Sequence, residues 1–320
     1  MKLSGVAIAM ALLFCPGCTD SLRTGSVSQA TSPQMAPRNS QWTAYYWVSA
    51  IHPYGEIEPL LDSLWHHNVN QLYLNVGSFT PKGVIAAPPG LEPFLNAVQK
   101  YENLHAPGSV HFIILAWVNK GASNKLRIAD ADVRMKMASS MGDLLSSNRR
   151  LDGIHLDYEP ASGGDKKYLD LLEETKRDIG PSKRLSVATP TLTASNTKFT
   201  WSSRYYRSVG AQVDEVAVMA YDTHIAEPKL YALFVQCEVD AIAKALRARA
   251  DLVIGLPAYK DATPSHNPAV ENVTNALKGI RKIKRASKIA GIALYPDCKD
   301  GGMPELSAGQ WDAYNQLKGR

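Results

Sequence analysis

Residues 151–160 read LDGIHLDYEP, and this stretch predicts a short buried β-strand that ends in carboxylates. Strand side chains alternate between two faces. One face is polar or ionisable and carries His155, Asp157 and Glu159; the other carries Ile154, Leu156 and Tyr158. Polar groups on a buried strand are costly without partners, and Pro160 cannot continue a ladder. The pattern therefore indicates an acidic pair at a C-terminal strand tip, where barrels and open α/β sheets place their chemistry.

Strand-like and helix-like stretches alternate on both sides of this strand. Apolar runs predict seven more strands, at residues 43–49, 71–76, 111–118, 185–190, 213–220, 252–256 and 289–295. Helical spacing of apolar residues predicts a helix after each strand, at residues 57–67, 91–103, 130–147, 166–178, 202–209, 230–248, 269–286 and 308–317. Such alternation implies a parallel sheet.

Eight strand–helix pairs within residues 42–320 favour an α/β protein whose one catalytic domain is a (β/α)8 TIM barrel. A doubly wound sheet is the alternative, but no Gly-rich fingerprint follows the first strand. The chain of 320 residues is 45% hydrophobic, which suffices for a well-buried core.

The residues before this domain predict export. Residues 1–18 form a targeting segment, with Lys2 ahead of an apolar run that is too short to span a bilayer. Gly17 and Cys18 resemble a bacterial lipoprotein signal, in which the Cys becomes lipidated; simple secretion is the alternative. Residues 19–41 are rich in Ser, Thr, Gln and Pro and predict a flexible linker.

We therefore expect a lipid-anchored protein of the bacterial cell envelope, at the outer membrane or cell surface, or otherwise a periplasmic or secreted one. Its contact with a membrane would be through the lipid on Cys18 only, and we expect a monomer. Of the four Cys, Cys237 and Cys298 lie in the domain, which excludes a disulfide scaffold or a zinc ribbon. Whether these two pair stays open.

The net charge of +5 does not indicate a nucleic-acid-binding protein. The basic residues are scattered, and one cluster spans residues 278–288. No aromatic interleaving or known reader motif accompanies this cluster, so a solvated helix face is the preferred interpretation and no nucleic-acid partner is expected.

The predicted strand ends are rich in aromatic residues and carboxylates. Besides the acidic pair they include Tyr45, Trp117, Met219, Tyr221, Asp222, Tyr259 and Tyr295. Aromatic faces stack on sugar rings and carboxylates transfer protons, whereas a phosphate site would need Gly-rich loops and clustered cations. The rim therefore favours a carbohydrate cleft that needs no cofactor and no metal.

Three motifs resemble those of glycoside hydrolase family 18, the chitinases and endo-β-N-acetylglucosaminidases. Residues 152–159 resemble the fourth-strand signature Asp-x-x-Asp-x-Asp-x-Glu of the family. Residues 219–222, Met-Ala-Tyr-Asp, are similar to its sixth-strand Met-x-Tyr-Asp, and residues 255–259 to its seventh-strand Gly-x-Pro-x-Tyr. They occur in the family's order on the predicted strands.

The resemblance assigns roles to individual residues. It implies that Glu159 is the general acid, and that Asp157 orients a substrate acetamido group whose carbonyl attacks the anomeric carbon in place of an enzyme nucleophile. Tyr221 would hydrogen-bond that acetamido group, and Asp222 would bind sugar near the cleavage point. Asp152 and His155 would support the site. Two carboxylates this close also repel, so that one of them keeps a proton near neutral pH.

The chain departs from the family pattern at three places. His155 stands where the family has its second Asp, and the protonation of a His changes near neutrality. Residues 116–119 replace the third-strand Ser-x-Gly-Gly, and Tyr295 replaces the Trp beneath the reactive sugar. The chain also lacks room for the inserted α+β subdomain of many exo-acting chitinases. These departures favour an open groove and endo action on an envelope or extracellular polysaccharide.

The expected function is hydrolysis of an N-acetylhexosamine-containing polysaccharide, such as chitin, peptidoglycan or an exopolysaccharide, with retention of configuration. Two alternatives stay open: a related barrel with a carboxylate nucleophile acting on a glycan without N-acetyl groups, and a non-catalytic glycan-binding barrel. A metal at His155, Asp157 and Glu159 is disfavoured because positions i, i+2 and i+4 of a strand span too far for one ion.

Overall fold

The computed structural model describes residues 43–48, 54–67, 69–85, 88–105, 110–121, 126–159, 162–192, 200–247, 249–258, 262–284, 289–295 and 308–318. Of residues 43–48, 54–56 and 316–318 it describes the backbone only. The predicted targeting segment and linker therefore lie outside the described residues and stay predictions.

Eight parallel strands close into a barrel in sequence order, and the first strand pairs with both the second and the last. The strands are β1 (Thr43–Val48), β2 (Gln71–Ser78), β3 (Ile113–Asn119), β4 (Gly153–Asp157), β5 (Arg184–Thr189), β6 (Glu215–Met219), β7 (Asp251–Pro257) and β8 (Ile289–Tyr295). A closed parallel barrel has no free sheet edge. The predicted (β/α)8 fold is confirmed.

A helix follows each strand and packs against the outside of the barrel. The helices are α1 (Tyr54–His66), α2 (Leu91–Leu104), α3 (Ala131–Ser147), α4 (Lys166–Ile179), α5 (Ser203–Val209), α6 (Pro228–Leu246), α7 (Val273–Ile280) and α8 (Ala308–Lys318). Four of them begin at a side chain that accepts a backbone N–H of the first turn, which is the preferred way to satisfy a free helix end. These N-caps are Asp130, Asp165, Ser202 and Asn272.

Among the boundaries that differ from the sequence prediction, two bear on the site. The helix predicted over residues 269–286 is shorter, because Asn272 accepts the backbone N–H of Asn275 and so starts α7 at Val273. The strand β4 ends at Asp157, and the carbonyl of Asp157 accepts the N–H of Lys120, the residue that follows β3. Glu159 therefore lies two residues beyond the strand rather than on its polar face.

The alternation in β4 creates two layers of core. Ile154 and Leu156 point outward into the large apolar layer between strands and helices, and Tyr158 joins them. His155 points into the barrel and is fully buried. A smaller apolar cluster fills the barrel interior and consists of Tyr73, Leu115, Trp117, Ala217, Val253 and Ala293.

Polar side chains also fill the barrel interior, in one row across neighbouring strands. His155 pairs in register with Ser186, and Ser186 with Glu215. All three are fully buried. Such groups need internal partners, and the structure supplies them: the ring of His155 hydrogen-bonds Ser186 Oγ through Nδ1 at 2.8 Å, and Tyr73 donates its hydroxyl to Glu215 Oε1 at 2.6 Å.

Three further features bear on the earlier predictions. Cys237 on α6 is disulfide-bonded, and Cys298 lies outside the described residues. The basic residues Lys278, Arg281, Lys282 and Lys284 are exposed, as a solvated face requires. In the part of the chain that the structure describes, no helix is long and apolar enough to cross a bilayer.

Candidate active site

Asp157 occupies the mouth of the barrel at the end of β4. Its Oδ2 accepts a 3.0 Å hydrogen bond from the indole Nε1 of Trp117, which lies near the end of the neighbouring β3. Its Oδ1 is buried and has no hydrogen-bond partner among the described residues. Burial raises the pKa of Asp157 to about 6, and the Trp117 hydrogen bond acts in the opposite direction by stabilising the carboxylate.

Glu159 follows Asp157 at the rim, where the residue is exposed to solvent. Protein atoms around its carboxyl group nevertheless desolvate it, and Asp157 and Asp222 add repulsion. Together these effects raise the pKa of Glu159 to about 8. The two carboxyl groups therefore differ at neutral pH: Glu159 keeps a proton, and Asp157 has mostly lost its own. Paired carboxylates whose pKa values are pushed apart are typical of acid–base catalysis.

Aromatic rings form one wall beside the carboxylates. Tyr221 and Tyr295 stack with ring centroids 5.2 Å apart and planes 6° apart. Trp117 meets Tyr295 edge to face at 6.1 Å. Tyr221 and Tyr295 are half-buried, whereas Trp117 is 7% exposed. Stacked, partly exposed rings offer an apolar face of the kind that sugar rings cover.

Asp222 and Met219 are held at the end of β6. Met219 ends the strand and is half-buried, and Asp222 is exposed three residues later. Asp222 has a φ of 55°, in the left-handed region that is unusual for a side chain with a Cβ. Its Oδ1 accepts a 3.4 Å hydrogen bond from Ser265 Oγ. The structure thus brings Asp157, Glu159, Tyr221 and Asp222 to the same end of the barrel, as predicted.

His155 lies below Asp157 inside the barrel and is stacked against Tyr73, with ring centroids 3.8 Å apart. Complete burial lowers the pKa of His155 to about 3. The expectation that its charge changes near neutrality is therefore wrong in this environment, because water cannot solvate the imidazolium there. His155 is a neutral hydrogen-bonding group at physiological pH.

Asp152 is not at the site. It precedes β4, five residues before Asp157, which places it about 16 Å away along the strand direction. Its Oδ2 accepts the backbone N–H of Ile114 at 2.8 Å and an Arg150 N–H at 3.3 Å. Asp152 therefore fastens β4 to β3 at the opposite end of the barrel. The side chain of Tyr45 and all of Tyr259 lie outside the described residues.

Two sets of residues were missed from the sequence. The first is the interior pair of Tyr73 and Glu215, which are 142 positions apart. The second is Glu271, a fully buried carboxylate beside the loop that carries Asp222. A charged residue on an otherwise apolar strand was the available signal for Glu215, whereas Glu271 lies at the start of the helix predicted over residues 269–286, where a Glu is ordinary, and the structure places it before α7. Among the described residues no cluster of His, Cys, Asp and Glu could hold a metal ion.

A closed (β/α)8 barrel with an acidic pair at its C-terminal mouth and an aromatic wall beside it has the architecture of a glycoside hydrolase. Residues 87–318 match the profile of glycosyl hydrolases family 18, and the chain belongs to this family. It is accordingly a glycoside hydrolase. No curated protein matches the chain in sequence.

Solved structures share the fold at low sequence identity. The Bacillus cereus spore cortex-lytic enzyme SleL superposes with a TM-score of 0.59 at 13% identity, over 86% of this chain and 74% of that one. A class V chitinase from Pseudomonas fluorescens Pf-5 superposes with a TM-score of 0.60 at 13% identity, over 87% of this chain and 99% of that one. The Ostrinia furnacalis Group IV chitinase in complex with allosamidin superposes with a TM-score of 0.57 at 13% identity, over 87% of this chain and 98% of that one. The barrel is thus chitinase-like in fold.

Proposed function

We propose that this glycoside hydrolase cleaves a polysaccharide beside an N-acetylhexosamine residue, with retention of configuration and with the substrate's own acetamido group as nucleophile. The observation that carries the proposal is the division of roles between Asp157 and Glu159. One carboxyl group holds a proton near neutral pH, and the other is an ionised acceptor fixed by an indole N–H.

Glu159 would supply the proton. Its carboxyl group donates to the glycosidic oxygen as the bond from that oxygen to the anomeric carbon breaks. The acetamido carbonyl oxygen forms the new bond to the anomeric carbon, so that the charge resides on a cyclic oxazolinium ion. Glu159, now a carboxylate, then takes a proton from water as the water oxygen bonds to the anomeric carbon, and the bond from that carbon to the acetamido oxygen breaks. Two displacements return the original configuration and the acetamido group.

Asp157 would stabilise the intermediate. Its Oδ2 is occupied by Trp117, whereas Oδ1 is buried and has no partner in the part of the chain that the structure describes. An unsatisfied buried acceptor is costly, and the N–H of an acetamido group would satisfy it. That N–H becomes more acidic as the carbonyl oxygen attacks, so the hydrogen bond strengthens toward the transition state.

The wall around the pair would hold the sugar. Tyr221 would donate its hydroxyl to the acetamido carbonyl, and Asp222 would bind sugar hydroxyls near the cleavage point. The stacked rings of Tyr221 and Tyr295, with Met219 and the edge of Trp117, would provide the apolar surface for the reactive sugar. Tyr45 and Tyr259 stay candidates for the same surface.

The substrate class is chitin, peptidoglycan or an N-acetylated exopolysaccharide. Two structural neighbours support it through their names: one is a spore cortex-lytic enzyme and another a chitinase. We further propose an exported monomer, anchored in the bacterial envelope through lipid on Cys18. The disulfide at Cys237 supports export, because disulfides persist in oxidising compartments.

A glycan panel tests the proposal. Chitin oligomers, peptidoglycan, N-acetylated exopolysaccharide and a matched de-N-acetylated exopolysaccharide are incubated with wild type and with Glu159→Gln, and products are analysed by mass spectrometry and by anomeric NMR. We expect cleavage of N-acetylated glycans only, β-configured products, and inhibition by allosamidin. Cleavage of the de-N-acetylated polymer, or equal turnover by Glu159→Gln, would contradict the mechanism. Activity that is lost in chelator and restored by a metal would contradict it as well.

A further inference from the structure

The loop that carries Tyr221 and Asp222 is tied to the loop between β7 and α7 by three consecutive residues. Ser265 Oγ donates to Asp222 Oδ1 at 3.4 Å. Thr223 donates its backbone N–H and its hydroxyl to Glu271 Oε1, at 3.0 and 2.6 Å. His224 donates its backbone N–H to the carbonyl of Ser265 at 2.9 Å.

Burial separates these residues into two groups. Asp222 and His224 are exposed, whereas Thr223 between them is buried. Glu271 is fully buried, and its other oxygen, Oε2, lies 3.5 Å from Nδ1 of the buried His266. A buried carboxylate that accepts both a backbone N–H and a hydroxyl makes charge-assisted bonds, which are about twice as strong as neutral ones.

The backbone between the exposed residues explains why such an anchor is needed. Asp222 has a φ of 55° and His224 a φ of 59°, so that left-handed residues flank Thr223 on both sides. Neither is a glycine; Asp and His adopt this region more often than other residues with a Cβ, but two such residues around one position make an uncommon turn. The hydrogen bonds from Thr223 to Glu271 lie at the centre of this turn.

We infer that Glu271 is a positioning residue for catalysis: its buried carboxylate holds Thr223 and thereby fixes Asp222 opposite Glu159 and Tyr221 against Tyr295. The effect of Glu271 on catalysis rests on the proposed function, because it acts through Asp222 on Glu159. The effect of Glu271 on the loop is independent of that function. Without Glu271 the buried N–H and hydroxyl of Thr223 would lose their acceptor, which is costly, and the turn would rearrange so that Asp222 moves.

The inference makes a prediction that a purely structural role does not. The charged groups that raise the pKa of Glu159 are Asp157, on its own segment, and Asp222, on the tied loop. If Asp222 moves away, Asp157 is the one of these two charges that stays close, and the pKa of Glu159 falls. The alkaline limb of the pH–rate profile should then move to lower pH, whereas its acidic limb, which reports Asp157, should not.

The test compares two matched pairs of variants in the full chain. Glu271→Met removes the carboxylate at similar volume, and Glu271→Gln keeps an acceptor oxygen for Thr223. Thr223→Val removes the hydroxyl, and Thr223→Ser restores it. We expect the first member of each pair to shift the alkaline limb down by about half a pH unit or more, and the second to retain the wild-type limb. Asp222→Asn serves as the reference for complete loss of the charge.

Amide hydrogen exchange at residues 221–225 measures the loop itself. The Thr223 amide should lose protection at least about tenfold in Glu271→Met and keep it in Glu271→Gln. An unchanged Thr223 amide together with an unchanged alkaline limb would overturn the inference. If Glu271→Met does not fold, the Thr223 pair decides by the same two readouts. If Asp222→Asn itself leaves the limb in place, the proposed coupling to Glu159 fails, and amide exchange alone decides whether Glu271 holds the loop.

Discussion

The indole N–H of Trp117 donates a 3.0 Å hydrogen bond to Oδ2 of Asp157, across the gap between β3 and β4. The side chain of Trp117 is almost completely buried. A donor in a site from which water is excluded needs no reorganisation during the reaction. The bond fixes Oδ2 of Asp157 toward the protein, and Oδ1 is the oxygen that the proposed acetamido contact would use.

Trp117→Phe keeps an aromatic ring and removes the donor. The pKa of Asp157 should rise above about 6, because the lost hydrogen bond stabilised the carboxylate. The acidic limb of the pH–rate profile should move to higher pH, and kcat/KM at neutral pH should fall about 10- to 100-fold, as for a hydrogen bond to a charged group. Combining the variant with Asp157→Asn should produce no further loss. Two results together would count against this role: losses of kcat/KM that add in the double variant, and an acidic limb of Trp117→Phe that stays at the wild-type pH.

Glu159→Gln should remove the alkaline limb. In wild type the rate should fall as pH rises through about 8, because the general acid loses its proton there. The amide keeps the shape of the side chain but cannot donate a proton in this way, so kcat should drop about 1000-fold while oligosaccharide binding survives. Glu159→Asp, which keeps an acid on a shorter side chain, is the matched control and should retain an alkaline limb. A limb that persists in Glu159→Gln would show that another group titrates.

His155 should make the protein sensitive to acid. Its pKa is about 3 in the folded protein and 6.5 as the ordinary value, so the unfolded state binds the proton more readily between these pH values. Its contribution to the free energy of unfolding is complete above pH 6.5 and is lost as pH falls toward 3. Relative to His155→Asn, wild type should lose on the order of 3 kcal/mol by pH 4.

Urea unfolding of both proteins from pH 7 to pH 4 measures this difference. Asp157 and Glu159 act with the opposite sign, since their raised pKa values make ionisation destabilising as pH rises. Both carboxyl groups are present in wild type and in the variant, so their effects largely cancel in the difference. Parallel stability curves over this range would mean that the imidazole finds solvation or a counter-charge when it is protonated.

The barrel was predictable from sequence because each of its elements is a local pattern. Strands such as β4 alternate in hydrophobicity, and the apolar residues of the helices recur every three to four positions. The two members of the acidic pair, Asp157 and Glu159, are only two positions apart. The contacts that refine the site join distant positions. Trp117 and Asp157 are 40 residues apart, and Thr223 and Glu271 are 48 apart. No periodicity indicates which of two distant side chains will meet.

His155 shows a different limit. Its place on the inner face of β4 follows from alternation, but its protonation depends on how completely the barrel encloses it. That enclosure comes from Tyr73 on β2 and Ser186 on β5, whose distances to the ring are properties of the closed barrel. The residue type alone indicated a group that titrates near neutrality, and burial reversed that expectation.

Gly153 directly follows Asp152 in the fourth-strand motif, and packing rather than chemistry requires a glycine there. A Cβ at this position would overlap the backbone carbonyl oxygen of Arg184 on β5. Because the obstacle is backbone, β4 and β5 would have to separate, and the segment that carries Asp157 and Glu159 would move with β4. Gly153→Ala should lower the free energy of unfolding by about 4 kcal/mol or more.

Gly309→Ala is the matched control for this prediction. Gly309 lies in α8, and nothing approaches within 4 Å of the position its Cβ would take. Since alanine favours a helix over glycine, this variant should be neutral or up to about 1 kcal/mol more stable. Urea denaturation of both variants, with soluble yield as a second readout, makes the comparison. Equal stability of Gly153→Ala and wild type would mean that the two strands can part without cost, so the close approach of β4 to β5 would not be what places the acidic pair.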